Sequence, residues 1–201
     1  MTNDDGVQAW TQDTGSGLPL ARALTVVDAP LCDVVALIRD VARHCEWAAD
    51  CVEARVVRRH DWARLDMYLR IKGYPWVGVA DRDAILATNT VIDRPGASVE
   101  ISFSAVASEP EGLGKDTVHM PKLTGSYRMS RTTDGKTEVD YRFAVDLGGW
   151  VPAWVGMRTV EQLPARTLTG LRRLMRQVGS TYRKEIDSWP PINGKPPCDA
   201  P

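Results

Sequence analysis

The sequence predicts a single α+β domain: a curved antiparallel sheet wrapped around a long C-terminal helix, with a central cavity. Two observations predict it. The first is a strand of unbroken alternation, with Thr137, Val139, Tyr141, Phe143 and Val145 on one side and Glu138, Asp140, Arg142 and Asp146 on the other. Side chains alternate faces along a strand, so one face is buried and the other meets water. The second is the segment that follows at once. Leu147-Gly148-Gly149-Trp150 ends the strand, and Pro152 opens a helix, where its missing N–H costs no partner. Apolar residues then recur at Trp154, Met157, Val160, Pro164, Leu168, Leu171, Met175 and Val178, the spacing of one helix face. A half-buried strand feeding directly into such a helix predicts a helix laid across the concave side of the sheet, over a pocket.

The remaining elements follow in chain order. Strands are expected near Val7–Gln12 and Ala21–Val27. Asp28-Ala29-Pro30 starts a helix with a capping carboxylate and a first-turn proline, and Leu31, Val34, Val35, Ile38 and Val41 form its stripe. A short helical piece follows around Glu46-Trp47. Val52–Arg58 is strand-like with poor alternation, whereas Leu65, Met67, Leu69 and Ile71 alternate cleanly with polar residues. Asp83–Ile92, apolar or small on both faces, reads as a central strand. Asp93-Arg94-Pro95-Gly96 is a turn. Val99–Ala105, Lys122–Arg131 and the Asp134-Gly135 turn complete the meander, with the longest loop at 107–117. Short connections imply antiparallel pairing. The domain is expected over 1–187, with a proline-rich, extended or disordered tail over 188–201.

Composition narrows the function. With 201 residues and a net charge of −1, the chain suits one core and lacks the basic field of a nucleic-acid binder. No apolar run approaches the roughly 20 residues that span a bilayer. The polar N-terminus has no signal-peptide pattern. Cys32, Cys45, Cys51 and Cys198 show neither metal nor disulfide-framework spacing, so free thiols in a cytoplasmic protein are expected. His44, His60 and His119 build no nucleophile pair or zinc site, so neither catalytic residue, metal nor cofactor is predicted.

Several motifs in order resemble one family. Asp5-Gly6-Val7 opens the first strand, Arg39-Asp40 ends the first helix, and Trp47 follows. Tyr74-Pro75-Trp76 precedes Asp81-Arg82-Asp83, Gly125-Ser126-Tyr127 lies in a later strand, and Asp146 to Trp154 forms the strand–helix boundary. Pro164 matches a mid-helix proline. Over roughly residues 5–180 the chain resembles the START (steroidogenic-acute-regulatory-related lipid-transfer) domain of the Bet v 1-like helix-grip superfamily. The resemblance implies a hollow for one lipid-like molecule, usually without chemistry, gated by Pro152–Gly179 and the loop Asp93–Ala97. Glu53 resembles an acid of cholesterol-binding members. Thr88 stands where those members carry arginine, so their buried Glu–Arg pair is not expected.

The expected ligand wall comprises Glu53, Met67, Leu69, Arg82, Leu86, Thr88, Ile101, Phe103, Tyr127, Tyr141, Phe143, Trp154, Met157, Val160 and Leu168. Arg82 either pins a loop by an ion pair or meets a ligand's polar head, since a guanidinium suits phosphate or carboxylate. Thr90 is a further candidate for a ligand hydroxyl. Trp47, Trp76 and Trp150 are expected to plug the ends of the core. Arg158, Arg166, Arg172, Arg173, Arg176, Arg183 and Lys184, on the back of the helix, form a solvated face or a transient contact with an anionic membrane. The expected function is carriage or sequestration of a hydrophobic small molecule. The rivals are an enzyme on the same fold, of polyketide cyclase or aromatase type, and a ligand-sensing interaction module.

Overall fold

A computed structural model describes residues 2–4, 6–12, 18–93, 98–106 and 116–190. Residues 94–97 of the predicted turn and gate loop, most of the long loop and nearly all of the tail lie outside these residues. The elements are β1 (Thr2–Asp4), β2 (Val7–Gln12), β3 (Leu20–Val27), α1 (Leu31–Arg39), α2 (His44–Trp47), β4 (Cys51–Arg59), β5 (Arg64–Ile71), β6 (Arg82–Asp93), β7 (Ser98–Ala105), β8 (Val118–His119), β9 (Lys122–Arg131), β10 (Thr137–Asp146), α3 (Ala153–Val178) and α4 (Arg183–Asp187). The sheet order is β1-β2-β3-β10-β9-β7-β6-β5-β4, with β8 parallel to β6 and every other pair antiparallel.

Residue size decides where α3 sits. On the inner face of β2 and β3 stand Ala9, Ala21 and Ala23, all fully buried. Small side chains let the C-terminal half of α3 approach, and it buries Leu168, Leu171, Leu174 and Met175. Beyond β10 the inner face turns to Tyr, Phe, Met and Leu. The helix therefore grips one half of the sheet, and the cavity lies towards the other. On the outer face of β10, Asp140 accepts a two-pronged contact from Arg22 at 2.8 Å and a second ion pair from Arg142. Burial opposes ionisation of this carboxyl, but the two guanidinium groups prevail and hold it below the usual range.

Three expectations change at this level, and a fourth gains its cause. Among the described residues no side chain caps α1, whose N-cap is Pro30, so Asp28 does not serve there. The weak alternation of Val52–Arg58 has a cause: register shifts between Cys51 and Glu53 and between Val56 and Arg58. Trp189, assigned to the tail, is buried with its ring 5.7 Å from that of Trp62. The free-thiol expectation is overturned as well. Cys45 and Cys51 form a disulfide, and Cys32 is also disulfide-bonded. Spacing could not reveal this, because the six-residue step from α2 to β4 becomes a contact only when the chain turns at Asp50, at a φ of 58°.

Candidate functional site

Cross-strand register builds the cavity in tiers. The first tier is Thr90, Ile101, Tyr127 and Tyr141, directly opposite one another across β6, β7, β9 and β10. The second is Leu65, Thr88, Phe103 and Phe143, with Gly125 between the two phenylalanines. Met67 pairs with Leu86 and Leu123 with Val145 in the third, and Leu69 and Ile71 continue the wall along β5. Met120 and Leu147 complete the end nearest the strand–helix boundary, and Ile38, Arg39, Val41, His44, Ala48, Ala49 and Cys51 line the side of α1 and α2. Helix α3 contributes Thr159, Leu163 and Thr167. Of these 26 residues only Arg39, His44, Thr88, Thr90, Tyr127, Tyr141, Thr159 and Thr167 bring polar oxygen or nitrogen atoms, so burial of an apolar partner dominates what the cavity can do.

The polar groups are mostly spoken for. Thr88 donates to Leu65 O at 3.0 Å, and Thr167 Oγ1 accepts from Ala49 N–H at 3.2 Å. Tyr127 and Tyr141 stack with ring centroids 4.3 Å apart. Burial raises both phenols well above their ordinary value, so neither ionises near neutrality. Burial also lowers His44 from 6.5 to about 4, and its Nδ1 has no hydrogen-bond partner among the described residues. Folded His44 thus binds its proton less readily than the unfolded side chain. Its stability contribution is whole above 6.5, is lost as the pH falls from 6.5 to about 4, and is constant below. At ~1.4 kcal/mol per unit, a discounted loss of roughly 2 kcal/mol is expected. His44→Gln should remove that part of the decline in urea midpoint between pH 7 and pH 4; an unchanged decline would place the titration elsewhere.

Of the fifteen residues expected on the wall, Met67, Leu69, Leu86, Thr88, Ile101, Phe103, Tyr127, Tyr141 and Phe143 are brought together there. Six are not. Glu53 is exposed on the edge strand and pairs with Arg55 at 3.1 Å. Arg82 is buried, but it donates to the backbone carbonyls of Ala80, Leu147, Gly148 and Trp150. It pins the strand–helix boundary through carbonyls, not by the ion pair expected. Its two aspartates do other work: Asp81 pairs with Arg70 at 2.7 Å, and Asp83 accepts from Tyr68 and Thr117. Leu168 is core, at 0% exposure. Val160 is half-buried against the core and does not line the cavity. Trp154 and Met157 face out, 44% and 56% exposed.

The helix error has a simple origin. The cavity stripe of α3 is Thr159, Leu163 and Thr167, spaced by four, and two threonines hide it from a hydrophobic-periodicity count. Of the residues counted at the start of α3, Trp154 joins an exposed aromatic group instead, and Met157 faces solvent. Trp76 and Trp150 are each 70% exposed, so they do not plug the core, whereas Trp47 is buried. Tyr74 bridges Trp76 and Trp154, with ring centroids 5.2 and 5.7 Å away. Among the basic residues behind α3, Arg166 is committed to Asp50 at 2.7 Å. Among the described residues no group of three or more His, Cys, Asp or Glu could hold a metal ion, and no helix is long and apolar enough to cross a membrane.

Comparison with known proteins gives three findings. The START domain family model matches residues 2–181. An uncharacterised protein of Pseudomonas aeruginosa is 27% identical over 176 residues, covering 85% of this chain and 82% of that protein. Among solved structures, a STAR-related lipid transfer protein fragment from Xanthomonas axonopodis superposes with a TM-score of 0.76 at 24% identity, covering 88% and 97% of the two chains. Human StAR-related lipid transfer protein 5 does so with a TM-score of 0.78 at 13% identity, covering 88% and 85%. At these identities the structures establish a shared fold.

Proposed function

The chain belongs to the START domain family, and from that premise we propose that it binds a lipid or other hydrophobic small molecule in the tiered cavity and carries or sequesters it without chemistry. The observation that carries this reading is the wall itself, predominantly apolar, with its few polar side chains mostly bonded to the protein, and closed on one side by α3. The titratable groups on that wall are poorly suited to proton transfer at neutral pH: two phenols held protonated, a histidine held neutral and one guanidinium. Helix α3 is the gate in this reading. Its C-terminal half is anchored on the alanines of β2 and β3, so the N-terminal half, which carries Thr159 and Leu163, is the part that moves.

The exposed aromatic group gives the carrier a place to meet a membrane. Trp76, Trp150 and Trp154 lie beside the start of α3, and tryptophan favours the bilayer interface, where its ring is apolar and its N–H stays wet. Arg158 on the same helix end is exposed and adds attraction to anionic headgroups. The test is transfer of fluorescent single-chain lipids, a fatty acid and a lysophospholipid, between vesicles containing phosphatidylserine. Wild-type protein is expected to accelerate transfer, and Trp150→Ser with Trp154→Ser to slow it roughly tenfold while leaving uptake from detergent unchanged. Transfer no faster than the protein-free rate would contradict carriage. Equal rates in the variant would remove the tryptophans from it.

A further inference from the structure

The first tier of the cavity carries its one charge, and that charge lacks an acid. Arg39, the last residue of α1, lines the cavity beside Thr90. Its Nη1 donates to Thr90 Oγ1 at 2.6 Å and its Nη2 to Trp62 O at 2.5 Å, both neutral acceptors. The guanidinium lies 4.5 Å from the Trp62 ring centroid and 5.7 Å from that of Trp189. Its Nε is buried with no hydrogen-bond partner among the described residues, and none of their carboxylates is within ion-pair distance. Glu185 acts on it only through space. Burial lowers Arg39 to about 10, which still leaves it charged at neutral pH. A desolvated cation held by neutral groups is costly, and an arriving oxyanion would offset that cost with charge-assisted hydrogen bonds.

Beyond this tier the wall along β5 and β6 is mostly apolar, and Thr88, its polar residue there, is already bonded to Leu65 O. From Thr90 to Ala84 the β6 strand rises about 20 Å past Thr88 and Leu86, long enough for an extended chain. We propose that the Arg39 end of the cavity receives the oxyanion head of a single-chain amphiphile, a carboxylate or phosphate, whose apolar chain lies along the inner tiers towards Leu86 and Leu147. This rests on the cavity being the ligand site and adds the ligand's chemistry to it. A purely structural Arg39, tying α1 to the β4–β5 connection and to β6, would not distinguish an acid from its neutral ester.

That difference is the test. Oleate, oleyl phosphate and methyl oleate would compete with the neutral dye N-phenyl-1-naphthylamine for the full chain at pH 7.5. At least one of the two anions is expected to displace the dye at about tenfold lower concentration than methyl oleate, and which one does so tells carboxylate from phosphate. Arg39→Gln should cancel the preference by weakening only the anions. Equal displacement by all three competitors would overturn the head-group assignment while leaving the cavity intact. So would a preference that survives Arg39→Gln, or a variant that loses anion and ester alike. Dye and competitors all failing to bind would overturn the cavity reading as well. The comparison in wild-type protein stands even if the variant does not fold.

Discussion

Gly170→Ala is expected to lower the melting temperature by roughly 4–8 °C, whereas Gly156→Ala in the same helix raises it by about 1–4 °C. The intrinsic term is the same for both, since replacing glycine by alanine inside a helix gains ~0.5–1 kcal/mol. Surroundings decide the sign. A Cβ on Gly156 would meet nothing within 4 Å, so the gain stands. At Gly170 the Cβ would lie 2.1 Å from the carbonyl oxygen of Trp47, a backbone atom that cannot rotate away. Separating α3 from α2 then costs about 3 kcal/mol, the upper range of overpacking, and outweighs the gain. The contact matters because Thr167 and Arg166 tie the same stretch, residues 49–50, to the helix. This clamp fixes the rear of the proposed lid. Thermal melts of the two variants check it, and shifts of the same sign would mean that α3 does not cross α2 at Gly170.

Leu86→Trp is expected to weaken ligand uptake roughly 100-fold, the equivalent of ~2.7 kcal/mol, and Met157→Trp to leave it unchanged. Leu86 lies in the third tier opposite Met67, with its side chain on the cavity wall and 4% exposed. A tryptophan there has open space to fill, so the ring occupies the volume that an apolar chain would take. Met157, on the outer side of α3 and 56% exposed, directs a new ring into solvent. The pair therefore separates the cavity from the surface of the same region.

The strands were legible because alternation survives wherever one face is buried. Thr137–Asp146 and Arg64–Ile71 match their patterns, and the motif order led to the family. Single side chains were less legible. Glu53 and Arg82 were placed by resemblance, yet the bulges of β4 turn Glu53 outward, and the boundary carbonyls claim Arg82. The helix stripe failed for a different reason. Trp154 and Met157 at the start of α3 face outward, while threonines face the cavity, so hydrophobicity and inward direction part company there. Arg39 left no signal of its own, because its setting needs Trp62, Thr90 and Trp189, brought together from four separate parts of the chain.

The cavity's role as a ligand site is tested most directly by native mass spectrometry of the protein after incubation with cell lipid extract. The account predicts one adduct of lipid mass per wild-type chain, kept in Met157→Trp and absent from Leu86→Trp. Wild-type protein that stays bare, or an adduct that persists in a folded Leu86→Trp variant, would contradict it.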